Sequence, residues 1–304
     1  MDTAKKVAVL LAAYNGEHYI EQQIDSILSQ TYPNFELYIW DDGSSDSTRK
    51  ILSQYAGKHS NLHLELSDVN LGYPASFYAL TDMEINADYF MFSDQDDVWC
   101  PEKIERMVEL MDRADLSIPT AYFSGYYICD ENLNVRSESA PQHKPIKLHN
   151  TLFEVCGLEF TMAINKAAKE LLFHNKPQWV KARGTWMCML YSALGVILYD
   201  NRPSAFYRRH SSAVTSSNMG FFGLWKWRIK TFFGGGFEDY KLKLQDFYSV
   251  VGDRLPGKER KMVYRFSDPH YLKNVIYKVF YPKRLRRRLF DELMLRFTFL
   301  IGKL

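Results

Sequence analysis

Asp94-Gln95-Asp96-Asp97 places three carboxylates within one turn of chain. Like charges packed this closely repel one another, and a cation among them relieves the repulsion. Hard carboxylate oxygens suit Mg2+ or Mn2+, and such an ion usually completes its shell with water and substrate phosphates. The plainer alternative is a solvated acidic turn ahead of a helix. Tyr89 to Ser93, just before the cluster, is a short apolar and aromatic run that reads as a buried strand. Pro101 and Glu102, just after it, suit the first turn of a helix. The cluster therefore falls at the C-terminal end of a strand.

The elements upstream repeat this arrangement. Val7 to Ala13 is a near-continuous apolar run, as expected of a strand buried on both faces, and it ends in Tyr14-Asn15-Gly16-Glu17. Ile20, Ile24, Ile27 and Leu28 then recur at helical spacing. Phe35 to Trp40 reads as a second strand ending in Asp41-Asp42-Gly43-Ser44-Ser45-Asp46, with Asp46 capping a helix from Ser47 to Tyr55. Leu62 to Leu66 reads as a third strand ending at Asn70-Leu71-Gly72-Tyr73, and Pro74 to Met83 as a helix. Strand and helix alternate four times, which predicts a parallel sheet with right-handed crossovers. An open sheet of this kind binds its ligand at the C-terminal strand ends, where these polar residues gather. Asp41 and Asp42 can accept hydrogen bonds from a nucleobase or ribose, and Tyr14 can pack on a ring. Ordinary turn chemistry explains Asp42-Gly43-Ser44 equally well on its own. Four strand ends of the same kind favour a ligand site.

Composition narrows the classes. With 304 residues and 46% hydrophobic content, the chain can bury a full core. No apolar run approaches the roughly 20 residues of a spanning helix. The apolar run after Lys5 and Lys6 is short and leads straight into a motif, so it reads as the first strand rather than a signal segment. The four cysteines form no CxxC pair, which points to reduced thiols in a cytosolic protein and away from zinc. Net charge is +2, but residues 219–304 hold 19 Lys and Arg against 8 Asp and Glu, a net +11, leaving −9 for residues 1–218. A basic tail of this size faces something anionic, a membrane surface or nucleic acid, and no recognisable nucleic-acid module is present.

Four motifs in order, Ala13-Tyr14-Asn15-Gly16-Glu17, Asp41 to Thr48, Asn70-Leu71-Gly72 and Ser93-Asp94-Gln95-Asp96-Asp97-Val98-Trp99, make the chain resemble family 2 of the inverting glycosyltransferases. The Ser-Asp-Gln-Asp-Asp-Val-Trp form is most similar to bacterial rhamnosyltransferase-like members that build cell-wall, capsular or O-antigen polysaccharide. The resemblance implies a GT-A fold, an α/β Rossmann-like, mostly parallel sheet flanked by helices. It also implies a nucleotide-diphosphate-sugar donor (dTDP or UDP), Mn2+ or Mg2+ at the acidic cluster, and a glycan or lipid-linked acceptor. Carried over by residue, Ala13, Tyr14, Asn15 and Glu17 line the nucleotide pocket. Asp41 and Asp42 hold base or ribose beside Asn70 and Gly72. Asp94 and Gln95 meet ribose or donor sugar, and Asp96 with Asp97 serves metal and diphosphate.

The acceptor half departs from the family. Ala121 to Cys129 reads as a strand, Thr151 to Asn165 as mostly strand, and Lys166 to Phe173 as a helix. Arg183-Gly184-Thr185-Trp186 opens another helix, where many relatives read His-Asp-Trp-Trp with the aspartate as general base. Glycine cannot take a proton. Either another carboxylate supplies the base, or the register is offset here, or the acceptor chemistry differs. Glu159 is the first choice for a base, because an acid in an apolar strand is costly without a partner or a function. The alternative is that it pairs with Arg183 or faces water. Tyr207-Arg208-Arg209-His210 resembles the family's Tyr-Arg-x-His. There Arg208 and Arg209 would bind diphosphate and His210 would complete the metal shell. Ser211 to Asn218 reads as a loop that closes over donor.

The tail mixes aromatics and cations from Phe221 to Lys230. Further on, Pro282-Lys283-Arg284-Leu285-Arg286-Arg287-Arg288 leads into a helix whose Leu285, Leu289, Leu293, Phe297 and Leu300 form an apolar stripe. A basic entrance to an apolar stripe is the pattern of an interfacial helix, and the alternative is packing on the catalytic domain. The expected organisation is a catalytic domain over residues 1–218, with a donor half to about residue 110 and an acceptor half beyond it. A basic helical extension over 219–304 would dock the protein peripherally on the cytoplasmic face of a membrane. Two other classes compete with a transferase: a nucleotidyltransferase, disfavoured by the lack of a Gly-rich phosphate loop with lysine, and a degenerate donor-binding protein that lost its base at Gly184.

Overall fold

The computed structural model of the chain describes residues 4–179, 182–210 and 238–304. The regions Ser211–Asn218 and Phe221–Lys230, read above as a loop and an aromatic basic segment, lie outside the described residues. The first elements are β1 (Val7–Ala13), α1 (Ile20–Leu28), β2 (Phe35–Asp41), α2 (Thr48–Ala56), β3 (Leu62–Leu66), α3 (Ala75–Asp82) and β4 (Tyr89–Ser93). Next come β5 (Val98–Trp99), α4 (Lys103–Met111), β6 (Thr120–Cys129), β7 (Val135–Glu138), α5 (Leu148–Thr151), β8 (Ala163–Asn165), α6 (Lys166–Phe173), α7 (Arg183–Leu194) and β9 (Val196–Arg208). The C-terminal helices are α8 (Glu238–Val251), α9 (Gly257–Ser267), α10 (Tyr271–Val279) and α11 (Leu289–Leu300).

The strands form one mixed sheet in the order β3-β2-β1-β4-β8-β6-β9-β5, with β7 paired to β6. β1 is hydrogen-bonded in parallel to β2 on one side and β4 on the other, which explains its continuous apolar sequence. The chain adds β2 and β3 outward on one side of β1, then crosses back to place β4 on the other. That reversal is a topological switch point, and open sheets bind their ligands outside the C-terminal strand ends at such a point. β8 runs antiparallel to both β4 and β6, and β9 runs parallel to β6. α1 buries Ile20, Ile24 and Ile27 beneath the sheet. Full burial of such a side chain is worth about 1.5–3 kcal/mol, so Ile24→Ala would cost several times the thermal energy.

Two expected elements differ. Thr151 to Asn165 is not mostly strand: α5, an irregular stretch and a 3-10 turn at Glu159–Thr161 precede a three-residue β8. An apolar run fits a buried coil as well as a strand, and it lacks period-two alternation. Pro101 and Glu102 form a turn, and α4 begins at Lys103.

Contacts gather the chain into two compact units. The first holds the chain up to Pro145, with Gly157–Phe173 and Gly195–His210. The second holds Ile146–Cys156, His174–Leu194 and the C-terminal helices, so two segments of the expected acceptor half cluster with the tail. Its core is aromatic. Trp186 meets Phe247 with ring centroids 5.5 Å apart, and Phe153 meets Phe266 at 5.1 Å. The cysteines are free thiols. Among the described residues, no helix is long and apolar enough to cross a membrane.

Candidate active site

The loops after β1 and β2 are stitched together by their polar side chains. Asn15 and Gly16 donate backbone N–H bonds to Ser44 Oγ at 2.9 Å and Thr48 Oγ1 at 2.8 Å. In return, Ser45 N donates to Asn15 Oδ1 at 2.8 Å and Ser47 N to Glu17 Oε2 at 2.9 Å. Hydrogen bonds from Ser47 hold the Glu17 carboxyl below its ordinary range. Asn15 sits at φ 46°, a left-handed conformation that asparagine tolerates. Tyr14 is exposed above this stitch.

Gln95 ties the acidic loop to the same place. Its side-chain amide accepts from Tyr14 N at 2.8 Å and donates to Tyr14 O at 2.9 Å. A Cβ on Gly16 would lie 2.4 Å from Gln95 Oε1, so only glycine admits this clamp. Ala13 is buried, and its carbonyl accepts from Asp42 N at 2.8 Å.

Asp41 and Asp42 organise the next strand end. Asp41 is buried, with Oδ2 2.8 Å from Arg49 Nε. Asp42 takes backbone N–H bonds from Leu71 at 2.9 Å and Gly72 at 2.7 Å, and Trp40 Nε1 donates to it at 3.1 Å. The Asn70–Gly72 loop is therefore held over the carboxylate expected to meet base or ribose, and Asn70 is exposed beside it.

The acidic cluster is graded in depth. Asp94, Gln95 and Asp96 are half-buried, while Asp97 is buried. Burial, then the nearby Asp96 and Asp94, push the Asp97 carboxyl well above the usual carboxylate range. Its Oδ1 accepts from Arg208 N at 3.1 Å, and its Oδ2 is buried with no hydrogen-bond partner. Lys103 is buried behind the cluster, where Nζ donates to Phe160 O at 2.6 Å and sits 3.9 Å from the centre of the Trp99 ring. Burial lowers its pKa to about 7.

The two arginines of β9 and its end differ sharply. The guanidinium of Arg208 donates to Asp96 O at 2.8 Å, to Glu131 O and to Gln22 Oε1, and lies over the Tyr19 ring at 4.8 Å. All three of its nitrogens serve protein groups. Arg209 has no side-chain hydrogen bond or ion pair among the described residues, and its Nε is buried without a partner. His210 Nε2 lies 2.9 Å from Asp96 Oδ2.

Glu159 lies on the 3-10 turn rather than in a strand, is half-buried, and accepts a hydrogen bond from Tyr73 Oη. Gly184 and Arg183 belong to α7 of the second unit, where Arg183 is buried. The sequence singled out none of Gln22, Gln23, Tyr19 and Lys103. Gln23 carried a signal, as a polar residue on the apolar face of α1. It is fully buried and donates to Ser93 Oγ at 2.6 Å.

No group of three His, Cys, Asp or Glu among the described residues forms a ready cage for a metal. What is present fits a looser site. Asp96 and His210 stand side by side, and the buried Asp97 has an orphaned oxygen. A hard divalent ion bound by one or two protein ligands, with phosphates completing its shell, matches this donor set.

Known proteins resemble the chain in sequence and in fold. The chain is 29% identical over 229 residues to the dTDP-rhamnosyl transferase RfbG of Shigella flexneri, covering 69% of this chain and 75% of that protein. It is 32% identical over 154 residues to the UDP-Glc:alpha-D-GlcNAc-diphosphoundecaprenol beta-1,3-glucosyltransferase WfgD of Escherichia coli, covering 50% of this chain and 56% of that protein. Among solved structures, S. aureus TarS 1-349 in complex with UDP-GlcNAc superposes with a TM-score of 0.62 at 17% identity, over 98% of this chain and 80% of that one. That likeness supports the expected GT-A type of fold, with C-terminal helices appended. The profile described as "Glycosyl transferase family 2" matches residues 8–170, more than half of the chain. The protein belongs to glycosyl transferase family 2.

Proposed function

We propose that this protein is an inverting glycosyltransferase that moves rhamnose or a hexose from a dTDP- or UDP-sugar to a glycan acceptor in cell-wall, capsular or O-antigen polysaccharide synthesis. The acceptor is lipid-linked and met at the cytoplasmic face of a membrane. One observation carries the reading: Asp96 and His210 stand 2.9 Å apart just beyond the C-terminal end of β4, at the β1/β4 switch point. The named activities of the rhamnosyl and glucosyl relatives support the donor classes.

In this reading the nucleoside lies over the stitched loops. Tyr14 packs on the base, while Asp42, with Asn70 and Gly72 beside it, faces base or ribose and Asp41 holds the turn. Asp94 and Gln95 border the donor sugar. Arg209 pairs with the diphosphate through its planar fork, while Arg208 holds the acidic loop in place. Asp96 and His210, with Asp97 behind them, would hold Mg2+ or Mn2+, which when bound neutralises charge on the leaving diphosphate. Glu159 takes the proton from the acceptor hydroxyl. That oxygen bonds to the anomeric carbon as the bond from carbon to diphosphate oxygen breaks on the opposite face, so configuration inverts. Nucleoside diphosphate is the product. A nucleotidyltransferase would release pyrophosphate instead.

Gly184 favours one competing reading, a donor-binding protein without turnover. The test is donor turnover with a panel of dTDP- and UDP-sugars and a lipid-linked acceptor. Wild-type protein should release nucleoside diphosphate, and Asp96→Ala and Asp97→Ala should abolish release. If both variants transfer normally, the assigned site is wrong. Binding without release by the wild type would favour the competing reading.

A further inference from the structure

The C-terminal helices present apolar side chains outward. Leu272 and Ile276 on α10 and Phe280 at its C-terminal cap recur at intervals of four and are 85%, 73% and 77% exposed. On α11, Leu289 and Leu293 are 63% and 59% exposed. The inward face of α11 is made instead by Glu292, Leu295, Thr298 and Phe299. Of the stripe read from the sequence, only Leu285, which precedes the helix, is buried.

The two helices are joined firmly. Arg296 of α11 donates to the carbonyls of Val279 at 2.8 Å and Tyr281 at 2.9 Å, closing the end of α10. Glu292 pairs with Arg296 at 2.6 Å and accepts N–H bonds from Leu285 and Arg286. The outward apolar residues thus belong to a fixed element.

The connection between the helices is cationic. Lys283, Arg284 and Arg288 are exposed there, as is Lys273 on α10, and none has an ion pair among the described residues. Soluble surfaces rarely carry apolar stripes of this kind without a partner. A second copy of the chain would bring two such cationic stretches into one interface, where they repel. An anionic bilayer accepts both features, with apolar side chains entering the acyl boundary and cations meeting headgroups.

We propose that the outward faces of α10 and α11, with the basic stretch 283–288 between them, dock on a bilayer surface rich in anionic phospholipid. Neither helix has the length to span, so both lie in the interface. This rests on the reading of a lipid-linked acceptor, and it assigns that reading a face.

The test is co-sedimentation of the full chain with phosphatidylcholine vesicles, with and without phosphatidylglycerol, alongside sedimentation velocity without lipid. Wild-type protein should bind only the anionic vesicles, and added salt should weaken binding. Ile276→Glu combined with Leu293→Glu should stay folded and lose binding by at least about tenfold. Arg284→Ala combined with Arg288→Ala should weaken binding to anionic vesicles through charge alone. Wild-type protein that ignores vesicles overturns the proposal. So does a vesicle-inert dimer that the glutamate variant dissociates, which would assign the face to a second copy. Vesicle binding needs no sugar transfer, so failure of the transferase reading shows separately in the release of nucleoside diphosphate.

Discussion

His210 Nε2 lies 2.9 Å from Asp96 Oδ2, although 114 positions separate them in the chain. The short β5 makes the link. It pairs antiparallel with β9, Val98 opposite Phe206 and Trp99 opposite Ala205. Just before β5, Asp97 Oδ1 accepts from Arg208 N and Asp96 O from Arg208 Nε, and His210 follows two residues beyond Arg208. If this pair shares a cation, His210→Ala should leave the fold intact and raise the Mn2+ concentration needed for a donor-dependent thermal shift by at least about tenfold. A Mn2+ titration of the variant checks it, and an unchanged midpoint would remove His210 from the site.

Arg208 and Arg209 should fail differently. Arg208→Lys loses the planar fork that joins the acidic loop, the turn at Glu131 and α1. It should lower both Tm and kcat, the latter by about 100-fold, since displacing reacting groups by an ångström costs that much. Arg209→Ala should raise the donor KM and leave Tm nearly unchanged. Thermal melts and donor kinetics on the two variants separate the roles.

Glu159→Gln keeps the size of the side chain and its bond to Tyr73. As the base, Glu159 contributes about 100- to 10,000-fold to kcat, so its amide should lower kcat by that range with donor binding unchanged. Equal kcat in both proteins would return the search to other carboxylates.

Stability has its own pH signature at Asp200, which Arg106 meets at 2.7 Å on the first unit. Burial pushes its carboxyl up, but hydrogen bonds from Arg202 and Arg106 outweigh burial and hold it below the usual range. A depressed folded pKa means that this contribution is complete above the unfolded value of about 3.9 and is lost as pH falls through the folded value. Asp200→Asn should therefore cost about 3 kcal/mol at neutral pH, and the gap from wild type should close in acid. Urea denaturation of both proteins across that range checks the sign.

Much of the donor half was legible because parallel strands buried on both faces leave continuous apolar runs. Val7–Ala13 and Tyr89–Ser93 begin and end where the sequence placed them. β5 was not legible, since two residues between an acidic motif and a helix carry no period. The stretch 151–165 misled because burial alone made it apolar. Adjacent arginines look alike in sequence, and only their surroundings distinguish Arg208, with every nitrogen engaged, from Arg209. The stripe of α11 had the right spacing, but spacing does not say which way a stripe faces.

The central claim is that this site holds a nucleotide-sugar donor through a divalent ion. Its most direct test is a thermal-shift panel with UDP, dTDP, GDP and their sugars, each with Mn2+ and with EDTA, on wild-type protein and Asp96→Asn. A bound ligand raises stability by an amount set by its concentration over Kd, so at about 100 times Kd the gain is about 2.7 kcal/mol. The account predicts a shift with one nucleotide family that EDTA and Asp96→Asn both remove. No shift with any nucleotide, or a shift indifferent to both, would contradict it.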